Sequence, residues 1–355
     1  MKAQIERRAK NSVALSDVAR VAGVSTATVS LALQEGSRIS AATREKVRRA
    51  MEQTGYRYNR FAAKLRTGQS KTIGLMITDI ANPYFAALAA GVETVLYRSG
   101  YMTFLVNSND DGIRQSMQIE RLLEHGVDGL LLSPADGTNL EELNQILGAG
   151  TPIVQISRWL SGLSCDAVGP DNQTLAAEMT RHLLNLGHRR IAFLGGTEGR
   201  SARVERLAGY AQAMEEAELQ VEETLTPMAA PTRANGALLL IEMMALESPP
   251  TAVICYHDLM ALGALQAAKD MGLAVGSKFA VVGFDDITEA ELSRPSLTTV
   301  HIDAENIGRA AATRLLARLE GDESPPSRIM VPARLVVRDS CGGYLRNAAV
   351  SHDIS

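Results

Sequence analysis

The sequence predicts an α/β protein with an all-helical N-terminal head, a hinge helix, and two doubly wound parallel-sheet lobes. Three observations carry this. From Thr72 onward, apolar runs of strand length alternate with amphipathic helical stretches, the pattern of a parallel sheet covered on both faces. The alternation starts again near Asn172, so a second unit of similar size follows the first. Before Thr72 the apolar residues keep helical spacing.

In the head, Leu15, Val18, Ala19 and Ala22 recur at helical spacing, Gly23-Val24 interrupts, and Ser25 opens a second run with Val29, Ala32 and Leu33. This predicts a helix-turn-helix: Ala19 allows a close crossing, Gly23 supplies the left-handed turn, and Ser25 is the N-cap. A plain helical hairpin within a core is the alternative. A polar loop, 34–37, leads to a third helix over Ser40 to Gln53, with Val47, Ala50 and Met51 on one face and Gly55 past its end. Asn59 to Arg66 is short, basic and helical in composition, with Phe61 and Leu65 four residues apart, and Gly68-Gln69-Ser70 follows as a link. A helix this short forms only when something holds it. A DNA minor groove could do so, with Leu65 as an apolar wedge; an ordinary frayed linker is the alternative.

The first lobe's strands are expected as buried segments at Thr72 to Ile77, Met102 to Val106, Gly129 to Leu132, Pro152 to Ile156 and, more weakly, Ala167-Val168. Helices fall between them at Tyr84 to Ser99, Ile113 to His125 and Leu140 to Leu147. In the second lobe, helices at Asn172 to Leu186, Ser201 to Glu218, Thr232 to Leu246 and His257 to Met271 alternate with strands at Arg190 to Leu194, Ala252 to Cys255 and Phe279 to Phe284. Leu297 to Ile302 and Arg328 to Arg338 read as extended around a helix at Asp303 to Glu320. Two such sheets side by side leave a cleft at the carboxyl ends of their strands, where open α/β folds bind ligands.

The expected boundaries are a head at 1–58, a hinge helix and linker at 59–70, a core at 71–345 and a tail at 346–355. Within the core, the first lobe takes 71–168 plus 301–327 and the second 169–300 plus 328–345.

Charge is unevenly placed. Residues 1–66 hold 14 Lys or Arg against 5 Asp or Glu, whereas the rest of the chain holds 22 against 35. A basic head on an acidic body points to a polyanion partner for the head alone. The N-terminus carries no secretory signal, and no stretch is apolar enough to span a bilayer. Cys165, Cys255 and Cys341 are odd in number and far apart, which reads as free thiols in a reducing cytoplasm.

Some signals point away from catalysis. Asn107 to Gly112 imitates a calcium loop but has Asn first and Gln118 at position twelve, so it reads as a strand-to-helix turn. Gly195 to Gly199 matches no phosphate-loop spacing. The histidines show no metal-ligand spacing, no Ser, His and Asp arrangement is recognisable, and neither metal nor cofactor is expected.

With these parts in order, the chain resembles the LacI/GalR family of bacterial transcription repressors over roughly residues 13 to 340. The motifs in the head are Asp17-Val18-Ala19, Ala22-Gly23-Val24-Ser25, Thr28-Val29-Ser30 and Thr43-Arg44-Glu45-Lys46-Val47. In the body they include Asn82-Pro83-Tyr84-Phe85, Gly126-Val127-Asp128-Gly129, Leu186-Gly187-His188, Arg206-Leu207-Ala208-Gly209-Tyr210, Val282-Gly283-Phe284-Asp285-Asp286 and Leu297-Thr298-Thr299-Val300. The resemblance implies a periplasmic-binding-protein-like core of type I, and a homodimer on a palindromic double-stranded operator with hinge helices in the minor groove. It places Thr26, Ala27 and Leu31 at base-reading positions and Leu65 at an intercalating one. Thr28, Ser30, Ser40, Thr43, Tyr56 and Asn59 fall at phosphate-contacting positions. Two departures stand out: Ala14 replaces a capping Thr, and Leu31 replaces an Arg that some relatives use on guanine.

In the cleft, Asp285 and Arg206 match the pair by which sugar-responsive relatives hold hydroxyls, since a carboxylate accepts two hydroxyl hydrogens and a guanidinium donates to two oxygens. Tyr84 and Phe85 offer an aromatic wall, and Ser157, Arg158, Arg200 and His257 sit at strand ends or in following loops. A structural ion pair or cap is the alternative for each, and Asp258 is read as a helix cap. The expected function is a cytoplasmic, nucleoid-associated repressor controlled by a small effector, a sugar or sugar derivative. Its rivals are a sugar-binding protein with no DNA role and, more weakly, a sugar-phosphate enzyme.

Overall fold

The computed structural model describes residues 13–33, 37–57 and 69–343. The calls on Asn59, on Leu65 with its hinge helix, on most of the loop at 34–37 and on the tail lie outside the described residues. The chain divides into two units, Met1–Ser70 and Lys71–Ser355.

The first unit holds three helices, α1 (Leu15–Ala22), α2 (Thr26–Ala32) and α3 (Ala41–Thr54). Gly23 has φ 66°, the left-handed conformation that lets α1 stop and α2 start three residues later. The Ser25 hydroxyl accepts from the Thr28 amide at 3.0 Å and caps α2, and Ser40 caps α3 through the Thr43 amide at 3.2 Å. Val18, Ala19, Val29, Ala32, Val47 and Ala50 close a small core. Arg44 donates to the Ala32 carbonyl at 2.8 Å and ties α3 to the end of α2.

The second unit begins with β1 (Thr72–Ile77), α4 (Pro83–Arg98), β2 (Met102–Asn107), α5 (Gly112–Glu124), β3 (Gly129–Leu132), α6 (Leu140–Gly148), β4 (Ile153–Ile156) and β5 (Asp166–Gly169). It continues with α7 (Asn172–Asn185), β6 (Ile191–Leu194), α8 (Ser201–Glu216), α9 (Arg233–Met244), β7 (Ala252–Cys255), α10 (Asp258–Asp270), β8 (Ala280–Val282) and α11 (Thr288–Leu292). The last elements are β9 (Thr299–Ile302), α12 (Ala304–Leu319), β10 (Arg328–Met330) and β11 (Ala333–Val336).

Two parallel sheets result, ordered β10-β5-β4-β3-β1-β2 and β6-β7-β8, with the antiparallel pair β11-β9 bridged to the second at Val282–Thr298 and Asp285–His301. Each sheet is covered by helices, and the strands β1, β3, β4, β6 and β7 are buried throughout. Helices α7 and α8 approach so closely that a Cβ on Gly209 would strike the Gln173 carbonyl, so only glycine fits at that crossing.

Three expectations change. The strand at Met102 is not buried: it lies at a sheet edge, paired only with β1, and Met102 and Leu105 are exposed. The segment at 328–338 does not belong wholly to the second lobe. Val331 breaks it, with β10 pairing to β5 in the first sheet and β11 returning to β9 in the second. Asp258 does not cap its helix. His257 does, its Nδ1 accepting from the Met260 amide at 3.2 Å, while the buried Asp258 accepts from Thr299 Oγ1 at 2.6 Å and the Ile287 amide at 3.0 Å.

Candidate functional site

On the head, α2 presents Thr26, Ala27 and Leu31 to solvent, and Val29 and Ala32 inward. The helical period separates the two faces, since Val29 packs on α1 while Leu31 points away. Thr28 is half-buried, with its hydroxyl 2.9 Å from that of Ser25, and the same arrangement recurs between Ser40 and Thr43 at 2.9 Å. Ser30 is buried, so it is less open than Thr28, Ser40 and Thr43, and Tyr56 packs against the head core. Ala14 provides no side-chain cap, and the Asp17 carboxylate instead accepts the Ala14 amide at 3.0 Å. On α3, hydrogen bonds from Arg48 and Arg49 pull the Glu45 carboxyl down to about 2.

In the second unit, the elements at the carboxyl ends of both sheets meet around a cavity of about 40 Å³. The first lobe contributes Asn82, Tyr84 and Phe85 from the start of α4, and Ser157 and Arg158 after β4. The second contributes Ala202 and Arg206 from α8, Tyr256 and His257 after β7, and Asp285 after β8. Of the residues expected in the cleft, only Arg200 does not line it. Asn82, Pro170, Ala202 and Tyr256 line it without having been expected there. The Asn82-Pro83 pair stood in the sequence only as part of a motif, and the turn that brings Asn82 to the cavity is a tertiary matter. A larger groove of about 920 Å³ lies between α5 and α6, away from these strand ends.

The two walls differ chemically. On the first, the Tyr84 and Ser157 hydroxyls are 2.6 Å apart, and Tyr84 meets Phe85 edge-on at 5.2 Å. Burial raises the Tyr84 phenol, so it stays protonated. On the second, Arg206 Nε donates to Asn172 Oδ1 at 2.8 Å, a further N–H donates to the Tyr256 carbonyl, and the guanidinium stacks 4.2 Å over Phe284. These contacts hold the guanidinium flat in one orientation.

Asp285 leaves β8 with φ 115°, and Asp286 follows at 59°, so the carboxyl projects from a turn held in the left-handed region. Burial pushes the Asp285 carboxyl up to about 7, against the charge of Arg206 and a hydrogen bond from the Asn82 side chain. Burial and then the charge of Asp285 raise Asp258 well above the ordinary range. His257 is driven by burial down to about 3 and is neutral. The result is a set of convergent donors and acceptors on two lobes, suited to a polyhydroxylated ligand. Among the described residues no group of His, Cys, Asp and Glu is placed to hold a metal ion.

Comparison with known proteins gives two family matches: "Bacterial regulatory proteins, lacI family" over residues 14–59, and "Periplasmic binding protein-like domain" over residues 180–341. The maltose regulon regulatory protein MalI of Escherichia coli K12 is 32% identical over 333 residues, spanning 91% of this chain and 97% of that protein. The transcriptional repressor CytR of the same organism is 30% identical over 338 residues, spanning 94% and 98%. Among solved structures, the lac repressor dimer bound to operator and the anti-inducer ONPF matches with a TM-score of 0.81 at 27% identity, covering 93% of this chain and 99% of that one. The transcriptional regulator CelR–cellobiose complex matches with a TM-score of 0.71 at 32% identity, covering 92% and 99%.

Proposed function

The chain belongs to the lacI family of bacterial regulatory proteins and is a DNA-binding transcriptional repressor, not an enzyme; from that premise we propose that a sugar or sugar derivative, bound in the interlobe cavity, sets its operator affinity. The observation that carries this reading is the convergence of Asp285 and Arg206 on one lobe with Tyr84 and Ser157 on the other around a single cavity. A ligand touching both walls binds the closed arrangement better than the open one, so it shifts the population of lobe positions. CelR, whose structure holds cellobiose, supports a saccharide as the class.

In this reading Thr26, Ala27 and Leu31 meet base edges, while Thr28, Ser30, Ser40, Thr43, Tyr56 and Asn59 anchor to phosphates. Leu65 enters the minor groove between paired hinge segments. Two copies bind one palindromic operator. Exposed Met102, Leu105, Ile113 and Met117, on the β2 edge and the start of α5, supply an apolar strip for a second copy, and the lac repressor relative is a dimer. Such a protein works in the cytoplasm, at the nucleoid.

The test is fluorescence anisotropy of a palindromic DNA from beside its own gene, titrated with the protein at several salt concentrations, with and without a sugar panel. A specific, salt-dependent complex whose affinity one sugar shifts about tenfold is expected. Specific binding that no sugar or sugar derivative alters removes the effector reading; no specific complex at any salt leaves a saccharide sensor without a DNA role.

A further inference from the structure

Helix α8 carries the cavity residue Arg206, and its neighbouring face grips the other lobe. Ser201 and Glu205, four residues apart, lie on one face of the helix. The Ser201 hydroxyl accepts the backbone amide of Trp159, in the loop after β4, at 3.0 Å. The Glu205 carboxylate accepts from Arg328 on β10 at 2.7 Å. Arg328 in turn lays its guanidinium over the Trp159 ring, 3.1 Å from the centroid. The ring also covers Gly169 at the end of β5, where a Cβ would stand 3.3 Å from it. Beyond Gly169 the chain crosses from the first lobe into α7 of the second. Trp159 and Arg328 thus form one stacked pair on the first lobe, and α8 holds it twice from the second.

The same carboxylate reaches back toward the cavity. Its second oxygen accepts from Asn172 Nδ2 at 3.2 Å, and Asn172 Oδ1 accepts from Arg206 Nε at 2.8 Å. Asn172 is buried, and an amide has one donating and one accepting end. Turned over, it would set its NH2 against a guanidinium and its oxygen against a carboxylate, so the two charged neighbours fix it in one orientation. The Asn172 side-chain oxygen in turn sets Arg206. Each link uses both ends of its side chain, and the series Arg206, Asn172, Glu205, Arg328, Trp159 runs unbroken from the cavity to the stacked ring of the other lobe. The Arg328 side chain is 37% exposed, so its pair with Glu205 adds little to global stability and acts instead on where the groups sit.

We propose that Glu205 and Arg328 are positioning residues of the effector site: through Asn172 they set the orientation of the Arg206 guanidinium, and they tie it to the stacking of Arg328 on Trp159 across the lobe boundary. The assignment rests on the reading of the cavity as the effector site. A ligand that draws on Arg206 shifts the carboxylate at the middle of the series, and the carboxylate shifts the cation on the ring. The coupling runs both ways: freeing the stack loosens the hold on the effector, and the effector steadies the stack. Trp159 is the chain's sole tryptophan, so its emission reports the state of the series.

The test uses the full chain, with acrylamide quenching of Trp159 emission as the readout. Glu205→Gln and Arg328→Gln uncover the ring face, and each should raise the quenching constant about twofold. Asn172→Ala, three contacts from the ring, should raise it as well. Arg328→Lys keeps the cation but not the flat fork and should fall between Arg328→Gln and wild type. Arg181→Gln, which breaks an exposed pair between the same two helices, should leave it unchanged. Quenching equal to wild type in Glu205→Gln, or in Asn172→Ala, overturns the proposal. Glu205→Gln, at a partly exposed position, keeps the test decisive if Asn172→Ala does not fold. Each mono- or disaccharide of the operator titration is then added in turn. One that shifts operator affinity should bind Glu205→Gln about fivefold or more weakly, with part of that loss absent in Arg328→Lys. Quenching that follows the series while no saccharide binds upholds the link between Arg206 and Trp159 and removes the effector reading. A saccharide that controls the operator equally in wild type and Glu205→Gln does the reverse.

Discussion

The Asp286 carboxylate lies 2.9 Å from Nδ1 of His301, and that contact fixes the turn from which Asp285 projects. Asp286 is also paired with Arg338 at 2.7 Å, and the Asp285 amide donates to Val300 at 3.0 Å. The cavity carboxyl is thus fastened to β9, the strand that leads out of the second lobe into α12. Replacing Asp286 with Ala should weaken effector binding about tenfold, because the turn loses its contacts to His301 and Arg338, while operator binding without effector is retained. Calorimetric titration beside operator anisotropy checks this; an unchanged effector affinity would show that the turn holds itself.

The pH dependence of stability has a definite sign at Asp285. Its carboxyl is raised to about 7, so the folded state favours the protonated form. That contribution is present at low pH and lost as pH rises through the folded value. Asp285→Asn keeps a neutral group of similar shape. Its stability relative to wild type should therefore climb between about pH 4 and 7 and level off above. Urea unfolding across that range measures the difference, and a gap independent of pH would place the carboxyl in an unperturbed setting.

The head should prove separately fragile. Its core is six small side chains, and Val29→Ala empties a fully buried position at a cost of about 2 kcal/mol. The second unit keeps its own core, so calorimetry should show the head's transition move while the larger one stays. A single shifted transition would mean that the two units unfold together.

Leu65→Ala tests the wedge. Specific operator binding should weaken and DNA bending, read by energy transfer between end-labelled fluorophores, should fall, with the second unit still folded. Unchanged bending would assign the kink elsewhere.

Self-association should depend on the exposed strip. Ile113 is 78% exposed, and Ile113→Glu should weaken the dimer about tenfold or more in sedimentation, with the fold intact. Equal dimer strength would move the interface off the β2 edge.

Much of this was legible in the chain because local chemistry announces it. Gly23 and Ser25 specify the turn and the cap, and the apolar runs at Thr72 and Gly129 fall on strands with the same ends. The misreadings share a cause. Met102 to Val106 is apolar enough for a central strand, and only the sheet order makes it an edge. Asp258 looks like a cap because it opens a helical run, yet the backbone turns one residue earlier and leaves it bracing Thr299. Arg200 looks like a cleft residue, but Asp110, 90 positions earlier in the chain, holds it behind Arg158. Such partners are set by which loops the two sheets bring together, which no periodicity encodes.

The cavity of about 40 Å³ has room for a few water molecules, against the roughly 300–1,000 Å³ of ordinary ligand sites. An effector therefore cannot enter the closed lobes and must wait for them to part. Its association rate should climb with concentration and then reach a plateau set by how often the Arg200–Asp110 contact opens, which makes that contact a clock for how fast the repressor can answer a change in its surroundings.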